Sequence, residues 1–226
     1  MRYPNIHKAR FLSRPNRFVA NCEMAGEFLT VHVKNTGRCR ELLVPGAEVW
    51  LTKSDNPTRK TAFDLVAVQK GGRLVNMDAQ APNAVFGEFA REGGFLPDAR
   101  NVRAEVRYGA SRFDFQLETP EKTHFVEVKG VTLEENGVVR FPDAPTQRGV
   151  KHLKELQSAS AAGYGAHAVF VIQMEDVKHF EPNDRTHTAF GEALREAARN
   201  GVQIHAFWCR VTPDSLVIAG EVPVVL

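Results

Sequence analysis

Between residues 17 and 77 short apolar runs alternate with turn-forming residues. The runs cover 18–24, 28–33, 47–52, 63–68 and 74–77, separated by Ala25-Gly26, Pro45-Gly46, Ser54-Asp55-Asn56-Pro57 and Gly71-Gly72. Five short strands of this kind predict a small β-barrel of the OB type. Such barrels often bind single strands or oligonucleotides.

After Ala81-Pro82-Asn83 the pattern changes to alternating helices and strands. A short helix is expected over 84–92, then three strands in succession over 102–108, 112–118 and 123–129. A loop over 132–145 leads to a helix over 147–162, with Thr146 as N-cap and Val150, Leu153 and Leu156 at helical spacing. A buried strand over 166–172, a helix over 188–200 ended by Gly201, and a strand over 202–208 follow. The expected division is a barrel domain over 1–81 and an α/β domain over 82–226.

The chain has 226 residues, 43% of them hydrophobic, enough for a substantial core. Its formal charge of +2 says little about partners, but the first forty residues carry eight Lys or Arg against two Glu. A basic end suggests a polyanion. Cys22, Cys39 and Cys209 lie far apart with no CxxC pair, so neither a zinc site nor a disulfide framework is indicated. The first twenty residues lack an apolar signal core, and no run approaches membrane-spanning length. A soluble cytoplasmic protein without a membrane partner is expected.

The chemistry concentrates in 113–129, FDFQLETPEKTHFVEVK. Phe113, Phe115 and Leu117 alternate with Asp114, Gln116 and Glu118, and 125–129 is a second extended run. If Thr119-Pro120-Glu121-Lys122 is a four-residue loop, Glu118 pairs with Thr123, and counting back sets Asp114 opposite Glu127, with Lys129 on their face. Carboxylates opposed at about 5 Å repel and favour a cation between them. Mg²⁺ or Mn²⁺ suits such a pair and leaves room for phosphate oxygens. Lys129 is then placed to hold the nucleophilic water or to neutralise phosphate charge. An isolated D…ExK match also arises by chance in ordinary exposed hairpins, so context must decide. The literal Pro-Asp pairs, Pro97-Asp98 and Pro142-Asp143, lie in turn-like segments and not in an alternating strand.

That context includes the stretches His32-Val33-Lys34-Asn35-Thr36-Gly37-Arg38, Leu43-Val44-Pro45-Gly46, Glu105-Val106-Arg107-Tyr108-Gly109, Arg112-Phe113-Asp114-Phe115, Glu127-Val128-Lys129-Gly130-Val131-Thr132-Leu133, Phe141-Pro142-Asp143-Ala144 and Arg148-Gly149-Val150-Lys151-His152-Leu153. Through them nearly the whole chain resembles the sugar fermentation stimulation protein A (SfsA) family. The resemblance implies an N-terminal OB-like domain and a C-terminal α/β domain similar to the PD-(D/E)xK nuclease fold. It also implies DNA binding and a regulatory role in sugar metabolism. It assigns the nuclease-type acidic positions to Asp114 and Glu127 and the lysine position to Lys129. Phe113 stands where the motif name has proline, a residue that makes no metal contact.

Further candidates surround this set. Glu105 joins the site if Gly109-Ala110 is a two-residue turn, and faces away if the turn has three residues. Glu88, on the first expected helix, offers another carboxylate or is simply solvated. Arg148, Lys151 and His152 open the helix after the site, where basic groups and free N–H donors meet phosphate, although such residues commonly form a solvated face. His152 is alternatively a general acid or base. Lys34, Arg38 and Arg40 surround Asn35-Thr36-Gly37, either a nucleic-acid cradle or a tight barrel turn. Two functions remain: a metal-dependent nuclease acting on DNA without strong sequence preference, and a DNA-binding regulator that keeps the fold without turnover.

Overall fold

The structure, a computed structural model, describes residues 1–109 and 111–226; Ala110, part of the expected 109–110 turn, lies outside them. Five strands close the N-terminal barrel: β1 (Ile6–Ser13), β2 (Val19–Met24), β3 (Glu27–Val33), β4 (Glu48–Lys53) and β5 (Phe63–Lys70). Antiparallel ladders join β3 to β2, β2 to β1, β1 to β4 and β4 to β5. A short parallel pairing of His32 with Asp64 and Val33 with Leu65 completes the ring. An OB-type barrel is therefore present, with one strand exchanged. The expected strand at 74–77 is β6 (Arg73–Asn76), which pairs only with β5, while β1 completes the barrel. Only Ala9 and Phe11 of β1 are buried among exposed polar residues, which left its alternation faint in the sequence.

The second unit is a six-stranded mixed sheet in the order β15-β14-β12-β9-β8-β7, formed by β7 (Arg100–Tyr108), β8 (Ser111–Glu118), β9 (Thr123–Val131), β12 (Gly165–Ile172), β14 (Gln203–Thr212) and β15 (Ser215–Glu221). β9, β12 and β14 run parallel at its centre, and β12 is buried along its whole length, as a strand covered on both faces must be. α1 (Ala81–Arg91) covers one face, through Val85, Phe86 and Ala90. α2 (Gln147–Ala161) and α3 (Asp184–Arg199) cover the other, through Leu153, Leu156, Phe190 and Leu194. α1 begins before the expected residue 84 because Pro82 occupies its first turn, where a missing N–H costs nothing.

The expected loop at 132–145 contains β10 (Leu133–Glu135) and β11 (Val138–Phe141), joined at Asn136-Gly137. Both turn residues have positive φ, the hairpin signature that Asn-Gly carries in sequence. β13 (His179–Pro182) pairs in parallel with β11. A buried polar joint links the two units. Lys34 Nζ meets Asp78 Oδ2 at 2.7 Å, Tyr3 donates to the same oxygen at 3.2 Å, and Gln173 donates to Asn76 Oδ1 at 2.9 Å.

Candidate metal and phosphodiester site

Glu127 lies on β9 between Val126 and Val128, which pack toward α1, so its own side chain turns toward α2 together with Phe125 and Val131. It is buried, and one oxygen, Oε1, receives both Lys129 Nζ and His152 Nδ1. The other, Oε2, is buried without a hydrogen-bond partner. Burial pushes the Glu127 carboxyl up, but His152 and Lys129 outweigh it and hold the group below the ordinary carboxylate range.

His152 reaches Glu127 because Thr146 caps α2, accepting from the Gly149 N–H at 3.0 Å, and fixes the helix's first turns over β9. Arg148 Nε approaches the far ring nitrogen of His152 at 3.3 Å.

Asp114 is held differently. Its Oδ2 accepts from the Val128 N–H at 2.8 Å and its Oδ1 from Asn83 Nδ2, on α1, at 2.9 Å. Burial raises its proton affinity first, and the nearby Glu127 charge raises it further; the Val128 amide, Lys129 and Asn83 only partly oppose this.

The hairpin register is the expected one, with Glu118 opposite Thr123 and Phe115 opposite Val126, but the ladder stops there. Phe113 packs in the core beneath α2 and Phe115 in the core beneath α1, although residues two apart on a regular strand share a face. The β7–β8 ladder omits Glu105 and Asp114 at the same level, and Glu105 holds φ 56°. The hairpin therefore reverses faces at Asp114. Instead of the expected ladder pair, an irregular strand turns the Asp114 carboxylate across to β9.

An orphaned buried carboxylate oxygen beside a second carboxylate is a donor set that fits a hard divalent cation. Among the described residues no group of three or more His, Cys, Asp and Glu side chains is placed to hold a metal. A cation on Asp114 and Glu127 would complete its shell with water and phosphate, as Mg²⁺ commonly does.

Comparison with known proteins places these features in a family. Residues 80–215 match the family model "Sugar fermentation stimulation protein RE domain", and residues 12–77 match "SfsA N-terminal OB domain". The chain belongs to the SfsA family. A sugar fermentation stimulation protein homolog of Desulfitobacterium hafniense (strain Y51) is 56% identical over 216 residues, covering 96% of this chain and 94% of the relative. A homolog from Clostridium beijerinckii is 53% identical over 226 residues and 100% of both chains. The solved structure of Pyrococcus furiosus SfsA in complex with Ca²⁺ matches with a TM-score of 0.89 at 28% identity, covering 100% of this chain and 98% of that one. Fold class and family membership follow directly.

In this SfsA chain several expected site residues lie elsewhere. Glu105 is exposed and pairs with Arg112 at 3.3 Å, although Tyr108 does pair with Ser111, because the positive-φ irregularity removes it from the strand alternation. Glu88 binds the N-terminal ammonium of Met1 at 2.6 Å. The residue of α1 that does reach the site is Asn83, hidden in sequence within a Pro-Asn pair that reads as a helix break. Lys34 belongs to the Asp78 joint and is not a free cation. Lys151 is exposed and pairs with Glu155 at 3.6 Å, whereas His152, expected at a phosphate, is buried against Glu127. Arg38 and Arg40 are exposed, as a nucleic-acid contact requires, and Arg148 is exposed at the start of α2. All three cysteines are free and buried. Among the described residues no helix is long and apolar enough to cross a membrane.

Proposed function

We propose that this chain binds DNA and hydrolyses phosphodiester bonds with Mg²⁺ or Mn²⁺ held by Asp114 and Glu127. The observation that carries the reading is Glu127 Oε2, buried without a partner next to a carboxyl whose proton affinity its charge raises. Such an oxygen costs about 1–3 kcal/mol unless something satisfies it. A bound dication would supply a more acidic water and neutralise charge on the phosphate.

The side chains divide the remaining work. His152 and Lys129 close on Glu127 Oε1 and fix the carboxylate's rotation, which leaves Oε2 presented. Val128 and Asn83 orient Asp114 from two directions. Lys129, with its ammonium beside the acids, stabilises negative charge that develops on a phosphate. The Ca²⁺ of the Pyrococcus furiosus relative supports a hard, oxygen-seeking dication in this family.

The test is Mn²⁺ binding followed by paramagnetic resonance, combined with cleavage of supercoiled, linear and single-stranded DNA. Saturable Mn²⁺ binding that Glu127→Gln removes, with metal-dependent cleavage, is expected. No cleavage of any form in Mg²⁺ or Mn²⁺ overturns the catalytic reading. A non-catalytic DNA-binding regulator of sugar metabolism is the second reading. It is favoured by Lys129, whose ammonium already neutralises Glu127 without a metal. Salt-sensitive DNA binding without turnover would establish it.

A further inference from the structure

The turn formed by Asn35, Thr36 and Gly37 borders two concavities. On one side it faces Pro142, Asp143 and Thr146 across a cleft of about 340 Å³ between the two units, and that cleft is also lined by Gly130, the residue after Lys129. On the other it borders a cavity of about 440 Å³ lined by Arg14, Arg17, Arg38 and Arg40. Gly37 lines both, so the cleft and the arginine cavity adjoin at this residue. A Cβ at Gly37 would lie 2.7 Å from Asp143 Oδ2 and 2.8 Å from Asn35 Oδ1, which leaves no space for a side chain there.

The arginines have distinct tasks. Arg14 donates to the carbonyls of Asn35 at 2.7 Å, Gly37 at 2.9 Å, Arg38 at 2.8 Å and Arg17 at 2.8 Å, which fixes the turn and places a positive charge beneath it. Arg17, Arg38 and Arg40 are exposed, and among the described residues none forms an ion pair with a carboxylate. Glu41 and Asp143 are the acids whose charges reach the neighbouring Cys39, and neither forms an ion pair with these arginines. Phe18, directly after Arg17, leaves its ring 58% exposed.

We propose that one unpaired DNA strand lies in the cleft beside the 35–37 turn and on Arg17, Arg38 and Arg40, with a base stacked on the exposed ring of Phe18. The inference rests on the DNA binding of the proposed function, and narrows the substrate to DNA with a single-stranded segment or end. Three unpaired guanidiniums suit backbone phosphates, and an exposed ring next to Arg17 in the chain suits a base whose face is not already stacked. At about 340 Å³ the interdomain cleft has the volume of a small-molecule pocket, too small for a duplex.

Fluorescence anisotropy with the full chain in EDTA tests this, using a single-stranded oligonucleotide, a blunt duplex and a duplex with an overhang. The single strand and the overhang are expected to bind about tenfold tighter than the blunt duplex. Joint Arg17→Ala, Arg38→Ala and Arg40→Ala should weaken single-strand binding about tenfold or more and reduce the log–log salt slope by about 2. The matching Lys substitutions should restore the slope, and Phe18→Ala should weaken binding about fivefold or more with the slope unchanged. Equal affinity for duplex and single strand, or an unchanged slope in the triple variant, overturns the inference. Absence of cleavage in the parent chain with these binding results intact would instead count against the catalytic reading alone.

Discussion

Val128 donates its backbone N–H to Asp114 Oδ2 at 2.8 Å, just beyond the last β8–β9 ladder pair. A side chain thus takes the place of a strand partner, which brings Asp114 to Glu127 although the two lie on differently directed parts of the sheet. Asp114→Asn and Glu127→Gln should each lower metal-dependent cleavage about 100-fold or more. Thermal melts should show the fold intact. Glu88→Gln and Glu105→Gln, which alter carboxylates outside the site, should leave cleavage within about twofold of the parent under the same assay.

His152 contacts Glu127, so any effect it has on the proposed metal site should run through that carboxylate. His152→Ala should reduce Mn²⁺ affinity about 10- to 100-fold, the usual effect of losing a partner of a ligating group. His152→Gln, which keeps a donor, should recover part of it. A calorimetric titration that gave equal affinities for all three would remove the positioning role.

Protonation of Asp114 should compete with a cation at the proposed site. Because burial and the Glu127 charge raise its proton affinity, divalent-metal affinity should begin to fall at a higher pH than for an ordinary aspartate. Mn²⁺ titrations across the acid range check this.

Across the α1 face, His124, His167 and His205 form a hydrogen-bonded row, at 3.0 Å and 3.3 Å, that ends on Glu221 at 3.1 Å. Burial, His205, His124 and Lys122 push His167 down from 6.5 to about 3. Below pH 6.5 the unfolded chain takes up a proton that the folded one refuses. The stabilising contribution is full above pH 6.5 and is lost as pH falls toward 3, with a slope approaching 1.4 kcal/mol per pH unit, roughly one proton's worth. Denaturant unfolding at several pH values should show this dependence, and His167→Gln should flatten it.

Lys34 holds Asp78, whose carbonyl accepts from Gln173 of the α/β unit at 3.0 Å. Asp78 is 1% exposed, so Lys34→Met leaves a buried carboxylate without its counter-ion and should cost about 3–5 kcal/mol. Lys34→Met combined with Asp78→Asn should recover much of this, as measured by urea unfolding.

Much of the architecture was legible from local pattern. The hairpin loop 119–122 set the register of β8 and β9 because strand periodicity and turn length are local properties. Thr146 capping α2 and the central strands β9, β12 and β14 were equally readable. β1 and β15 were not, because an edge or half-exposed strand with few buried residues carries little alternation.

The sequence by itself therefore determined the barrel followed by an α/β unit and the hairpin register, and singled out Asp114, Glu127 and Lys129 as a candidate set. Tertiary structure alone decided which neighbours complete it. Asn83 on α1 and His152 on α2 approach from opposite sides of the sheet, the face reversal at Asp114 depends on the packing of Phe113 and Phe115 into separate cores, and Lys34 pairs with Asp78. The physical reason is that periodicity reports which way a side chain points along its own element. Which charge or donor waits there is set by segments up to a hundred residues away, brought close only when both faces of the sheet are buried.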